Sequence, residues 1–266
     1  MYTIIDTHCH VYPPAIAAKA THATAAFFDA SSREDGLAET LLQENQEAGI
    51  CHSVICSVAT TPHQVHSVNR FLAETAAMHP DRLTGFGSLH PDSPDVAADW
   101  EEAKALGLRG IKIHPDIQGF ALNDRRCYPI YELCQGRMPI LFHTGDPRYA
   151  YSNPPQLKPV LRDFPGLTVI AAHFGAYQNW QYAPELFGYA NLYVDCSSSL
   201  FGMSRQQAVE LIRGFGAERV LFGTDYPMWN PAEEVQKFLA LPLSEEERRR
   251  ILGENAAALL GLEVGV

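Results

Sequence analysis

Short apolar runs recur along the whole chain, each followed by a stretch with helical periodicity. This alternation limits the fold more than any other feature of the sequence. Eight runs qualify as strands: residues 3–8, 53–58, 83–89, 110–114, 139–143, 168–173, 192–195 and 220–224. Between them the pattern predicts helices over 36–48, 63–78, 95–106, 125–135, 156–164, 180–189, 204–215 and 232–239, and a last one from about 245 to 260. Strands apolar on both faces that alternate with helices indicate a parallel sheet covered on both sides. Eight such units predict an α/β fold of the (β/α)8 TIM-barrel type, regular or distorted, with an extra C-terminal helix. A doubly wound open sheet is the rival. The polar residues decide between them, because His143, His173, Asp195 and Asp225 all fall at the C-terminal ends of predicted strands. In a closed barrel those ends meet at one mouth, where active sites of such barrels lie; an open sheet spreads them along its edge. Residues 1–266 are read as one barrel domain, since barrels of about this length are routine.

Composition bounds the partners. Apolar residues make up 46% and charged residues 19%, which suits a globular protein with a sizeable core. The formal charge of −11 disfavours nonspecific binding to nucleic acid or anionic membranes. No apolar run is long enough to span a bilayer, and no secretory leader pattern opens the sequence. Cysteines 9, 51, 56, 127, 134 and 196 show no Cys-x-x-Cys pair or framework spacing, so they are read as reduced thiols in a cytoplasmic protein. The expected partner is a small-molecule substrate; a homo-oligomer is compatible with this reading.

The first strand carries Asp6-Thr7-His8-Cys9-His10. Side chains of an extended strand alternate between faces, so Asp6, His8 and His10 point the same way and both imidazoles can reach one ion. With His143 and Asp225 they offer four ligands of the type that suits Zn²⁺ and related divalent metals, with solvent as a fifth. Such an ion supplies hydroxide near neutral pH. His173 is then the natural acid or base, and Asp225 combines ligation with accepting a proton. Asp6 is expected to orient an imidazole from behind. His90 and His114, each followed by proline, are read as structural, and His22, His52, His63, His66 and His79 as surface residues.

Asp6-Thr7-His8-Cys9-His10, His143-Thr144-Gly145, Ala172-His173-Phe174-Gly175, Gly223-Thr224-Asp225-Tyr226-Pro227 and Gly253-Glu254-Asn255-Ala256 together resemble the amidohydrolase superfamily. The likeness is to its amidohydrolase-related branch, which includes aminocarboxymuconate-semialdehyde decarboxylase, resorcylate-type decarboxylases and lactone hydrolases. The resemblance implies a distorted TIM barrel with a divalent metal, usually zinc, held by His8, His10, His143 and Asp225, and His173 as the catalytic histidine. Some superfamily members carboxylate a lysine on the fourth strand to bridge two metals, with His143 and His173 then both ligands. Lys112 stands where it could do this, but a structural or substrate-binding lysine is the preferred reading, because this branch usually holds one metal.

Arg148 lies on the loop after the fifth strand among aromatic residues and is the candidate for binding a substrate carboxylate, because a guanidinium grips that group in a bidentate manner. The segment 11–33, with Tyr12-Pro13-Pro14 and Phe27-Phe28, is long for a connection and reads as a lid or pocket wall or a surface excursion. The first functional expectation is metal-dependent hydrolysis of a small amide, lactone or ester. The alternative is nonoxidative decarboxylation of a small aromatic or enol carboxylic acid by the same ligands.

Overall fold

The structure, a computed structural model, describes residues 2–263. Eight strands lie in chain order, each parallel to the next: β1 (Ile5–His10), β2 (His52–Cys56), β3 (Leu83–Ser88), β4 (Gly110–Ile113), β5 (Ile140–Phe142), β6 (Val169–Ala171), β7 (Leu192–Asp195) and β8 (Val220–Leu221). All eight expected strands are present, several cut short at their C-terminal ends. The barrel closes because the chain beyond β8 runs along β1. Thr7 N donates to Phe222 O at 2.9 Å, Asp225 N to His8 O at 2.9 Å, and His10 N to Tyr226 O at 2.6 Å. Closure is therefore made by irregular backbone, and β1 itself carries a register shift between Asp6 and Cys9.

Two apolar layers hold the barrel. Ile5, Val54, Phe86, Leu141, Ile170 and Leu221 fill its interior, and a larger set that includes Leu41, Leu72, Trp100, Ile130 and Phe238 packs between strands and helices. Both faces of the strands are thus buried, with Tyr193 of β7 only partly so, which is why the strands read as continuous apolar runs.

Beneath the barrel the last helix is one run with a π-helical turn at Arg250–Glu254, flanked by Glu245–Arg249 and Asn255–Leu260. The expected capping box forms, with Glu247 N donating to Ser244 Oγ at 3.2 Å and Ser244 N to Glu247 Oε2 at 2.7 Å. The wider turn frees the Ile251 carbonyl to accept from Phe222 N at 3.0 Å. Gly253 permits the approach: a Cβ there would lie 2.4 Å from the Thr3 carbonyl oxygen. Asn255 Nδ2 completes the anchor with bonds of 2.7 Å to Ala217 O and Val220 O.

The structure departs from expectation in three places. The segment after β1 forms a helix, α1 (Ala17–Phe27). Residues 180–186 wind as 3-10 helix, where Pro184 lacks the N–H that an α-helix needs. His52 is a buried residue of β2 rather than a surface one, its Nε2 2.8 Å from Thr84 Oγ1. Among the described residues no helix is long and apolar enough to cross a membrane.

Candidate functional site

His8 and His10 end β1, while the other expected residues sit just past their strands. His143 follows β5 directly, His173 lies two residues beyond β6, and Asp225 four beyond β8. These positions are loop starts at the C-terminal mouth of the barrel, and they bring backbone into unusual conformations. His173 (φ 60°), Ser198 (φ 44°) and Asp225 (φ 63°) all adopt the left-handed region that side chains disfavour. Such conformations persist only where surrounding bonds enforce them. For Asp225 the bond from its N–H to His8 O does so.

His8, His10 and Asp225 converge. His8 Nε2 lies 3.1 Å from His10 Nε2, and Asp225 Oδ1 lies 3.5 Å from each. The hydrogen-bond partners fix which nitrogens are bare. His8 Nδ1 sits 3.0 Å from Asp195 Oδ2, a carboxylate that can only accept, so Nδ1 carries the proton and Nε2 offers its lone pair inward. His143 and His173 follow the same logic. His143 Nε2 donates to Gly145 O at 3.1 Å and His173 Nδ1 to Ser197 O at 2.9 Å. Their remaining nitrogens, His143 Nδ1 and His173 Nε2, face each other at 3.1 Å as two lone pairs. That juxtaposition needs a shared proton or a cation. Gly145 makes the turn possible, since φ is 87° and a Cβ would lie 2.1 Å from Tyr177 N.

Electrostatics agrees with neutral imidazoles around an ionised carboxylate. Burial lowers His10 and His143 well below the usual histidine range and takes His173 down to about 4. Burial works to raise Asp225, yet the charge that His8, His173 and His10 carry when protonated, together with the Ser198 hydroxyl, outweighs it and holds the carboxyl at about 2. Ser198 Oγ also donates to Asp225 Oδ2 at 2.5 Å and accepts from Trp229 Nε1 at 2.7 Å. Lys112, fully buried on β4, donates to His8 Nε2 at 2.9 Å, and burial lowers its pKa.

Three roles differ from expectation. Asp6 touches no imidazole: its Oδ1 accepts from His8 N and Thr224 N, each at 3.0 Å, and its Oδ2 from Thr224 Oγ1 at 2.5 Å. It braces β1 against the chain after β8, and Asp195 orients the imidazole instead. Arg148 does not line the cavity at the mouth. Its Nε and Nη2 clasp Asp146 at 3.0 and 2.8 Å, and Nη1 donates to the Phe27 carbonyl, so the guanidinium fastens the end of α1. His114 is not merely structural in placement: it is buried, lines the cavity and stacks on His143 with ring centroids 3.9 Å apart. The strand-end position it shares with His143 was the available signal.

The cavity has a volume of about 380 Å³. His10, His114, His143 and Asp225 form one end, and α1 supplies a wall through Phe27 and Phe28. Phe28 stands over His143 with ring centroids 5.4 Å apart. The segment after β1 is therefore a pocket wall. Among the aromatic residues of the later loops, Tyr177, Trp180, Phe201 and Trp229 pack on one another beside the mouth.

Comparison with known proteins places this geometry. A gamma-resorcylate decarboxylase of Rhodococcus jostii is 26% identical over 250 residues, 73% of this chain and 75% of that protein. An uncharacterized TIM-barrel protein from Bordetella bronchiseptica superposes with a TM-score of 0.81 at 25% identity, over 97% of this chain and 98% of that one. A dihydroxybenzoic acid decarboxylase from a Polaromonas species, solved with manganese and the inhibitor 2-nitroresorcinol, superposes with a TM-score of 0.73 at 19% identity, over 100% and 98% of the two chains. A family model described as Amidohydrolase matches residues 5–262, nearly the whole chain. With its parallel eight-stranded barrel and histidine-rich mouth, the chain belongs to the amidohydrolase family.

Proposed function

We propose that the chain is a metal-dependent nonoxidative decarboxylase of a small aromatic or enol carboxylic acid. One observation carries the reading: His10 and Asp225, with His8 buried directly behind them, line a cavity walled by aromatic and aliphatic side chains, in a chain whose 26%-identical relative is a gamma-resorcylate decarboxylase. Hydrolysis of an amide, lactone or ester, the first expectation from sequence, would use the same residues, because one scaffold serves both chemistries. The relatives favour decarboxylation.

The donor set fits a divalent ion. Ligand bonds of about 2.0–2.2 Å set neighbouring donors about 3.0–3.5 Å apart, and the three observed separations are 3.1, 3.5 and 3.5 Å. His8, His10 and Asp225 would hold the ion with His143 as fourth ligand, and imidazole with carboxylate suits Zn²⁺ or a related metal. A second ion bridged by carboxylated Lys112 would take His143 Nδ1 and His173 Nε2, so metal stoichiometry separates the two arrangements. When bound, the ion supplies positive charge for substrate oxygens.

The remaining work belongs to the side chains. His173 keeps its Nδ1 proton on the Ser197 carbonyl, so Nε2 is the atom that takes a proton from a substrate hydroxyl and returns it to the carbon bearing the carboxylate. That carbon then gains hydrogen, its bond to the carboxyl carbon breaks, and the electron pair returns to the ring as CO2 leaves. Asp225, ionised and fixed by the Ser198 hydroxyl, would accept a hydrogen bond from a second substrate hydroxyl. Phe27 and Phe28 hold the planar substrate and keep water out.

The experiment is product analysis on metal-loaded protein with 2,6-dihydroxybenzoate and related acids. CO2 release is expected; incorporation of labelled solvent oxygen into product without CO2 restores the hydrolytic reading. His173→Asn should slow turnover by about 100- to 10,000-fold while metal content stays constant. Unchanged turnover removes His173 from the reaction.

A further inference from the structure

α1 presents two different faces. Ala17, Thr21 and Ala25 are buried, Thr21 with its hydroxyl on the Asp35 carbonyl, whereas Ile16, Ala20, Ala23 and Phe27 line the cavity. The second set follows helical spacing of four, three and four residues, so it forms one continuous stripe. Ile16 at its outer end is 49% exposed, a large aliphatic side chain left open at the rim. Across the cavity Val68 and Phe71 of the helix Val65–Met78 are half-buried and face the same space. The alanines keep the stripe flat and the gap wide.

At this end the Gln64 side-chain oxygen and the Ser67 hydroxyl already have partners. Gln64 Oε1 accepts from Thr60 N, Thr60 Oγ1 and Thr61 N at 2.8, 2.9 and 3.2 Å, and Ser67 Oγ donates to Gln64 O at 3.0 Å. Among the described residues, neither lysine nor arginine lines the cavity. Arg148, the nearest expected cation, is occupied by Asp146 and the Phe27 carbonyl. A second carboxylate on the substrate would meet no countercharge here and would lose its water without compensation.

From these contacts we propose that the substrate carries an uncharged apolar arm, alkyl or aryl, which lies between α1 and the helix Val65–Met78 while its acid group faces the histidines. The choice of acid head rests on the decarboxylase reading; the arm rests on the cavity wall alone. This chain therefore selects alkyl- or aryl-substituted monoacids and rejects dicarboxylates. Each methylene that enters the gap should tighten binding about three- to fourfold, the equivalent of burying one CH2.

The test uses the metal-loaded full chain and 2-hydroxybenzoates substituted at carbon 6 with hydrogen, methyl, propyl or pentyl, together with a carboxyalkyl counterpart of the pentyl compound. Calorimetry measures affinity and CO2 evolution measures turnover. Affinity should rise roughly tenfold from propyl to pentyl, and the carboxyalkyl compound should bind more weakly than the pentyl one. In Ala23→Phe, which fills the gap, the gain with chain length should disappear; Val68→Phe serves the same purpose if the first variant does not fold by circular dichroism. A flat series, absence of binding throughout, or preference for the carboxyalkyl compound overturns the inference. A steep series without CO2 release leaves the arm standing and overturns the decarboxylase reading instead.

Discussion

Replacing Asp195 by asparagine changes the chemistry behind His8 while keeping the side chain's shape. In the native site Asp195 Oδ1 accepts from His173 N at 3.0 Å, Ser197 N at 3.0 Å and Ser197 Oγ at 2.5 Å, and Oδ2 accepts from His8 Nδ1 at 3.0 Å. Three donors demand an oxygen at the first position, so the amide that the substitution introduces must turn its NH2 towards His8. His8 then either accepts at Nδ1, which moves its proton to Nε2 and removes the lone pair facing His10, or keeps Nδ1–H against another donor. Ser197 Oγ, 3.0 Å from the same Nδ1, offers a fallback acceptor and limits the damage. Loss of such an orienting partner costs about 10- to 100-fold in metal affinity, or roughly 1.4–2.7 kcal/mol. Asp195→Asn should therefore bind Zn²⁺ or Mn²⁺ more weakly by that factor in competition with a chromophoric chelator, with its circular dichroism spectrum intact. Native affinity in a folded variant would refute the assignment of His8 Nε2 as the inward lone pair.

Two further outcomes follow from the wall and from the loop after β4. Arg148→Ala should release the end of α1, weakening binding by a similar factor for acids and for neutral analogues in calorimetry and speeding amide exchange over residues 17–33; a loss confined to acids would return Arg148 to carboxylate binding. Asp116, pushed up to about 6 mainly by burial although Ser152 Oγ donates to it, holds its proton in the folded state through a pH range where the unfolded chain, near 3.8, has released it. Stability of metal-free protein should thus fall from pH 4 to pH 6 relative to Asp116→Asn, by about 2–3 kcal/mol at 1.36 kcal/mol per unit, read from urea unfolding; parallel pH profiles would remove Asp116 as the cause.

What the sequence made legible follows from how each signal arises. All eight strands were readable because both faces of a barrel strand are buried, and a run such as Ile140-Leu141-Phe142 has no other setting. His8 and His10 were readable because alternation within one strand is local. Helix α1 was hidden: its buried face uses Ala17, Thr21 and Ala25, too small to mark an apolar period, and its large apolar residues line a cavity instead of the core. The part played by Asp195 was out of reach for another reason. Its partner His8 is far away in sequence, and only barrel closure brings them together. His114 and His143 end neighbouring strands, so their stacking follows from strand order, and the proline after His114 gave no hint of it.

The seam between β1 and the chain beyond β8 has a consequence for how such a protein can change. Asp6 to Thr224, His8 O to Asp225 N and His10 N to Tyr226 O join the residues that carry the donor atoms themselves. Substitutions at positions 6 or 224 should thus disturb chemistry and folding at once, with little room for drift in either. The wall formed by α1 contributes none of those bonds, although the chain after it is tied to the far side of the seam by Arg33 N and Glu34 N on the Pro227 carbonyl. Substitutions in that wall should therefore change the shape of the cavity while the sewn edge of the barrel stays as it is.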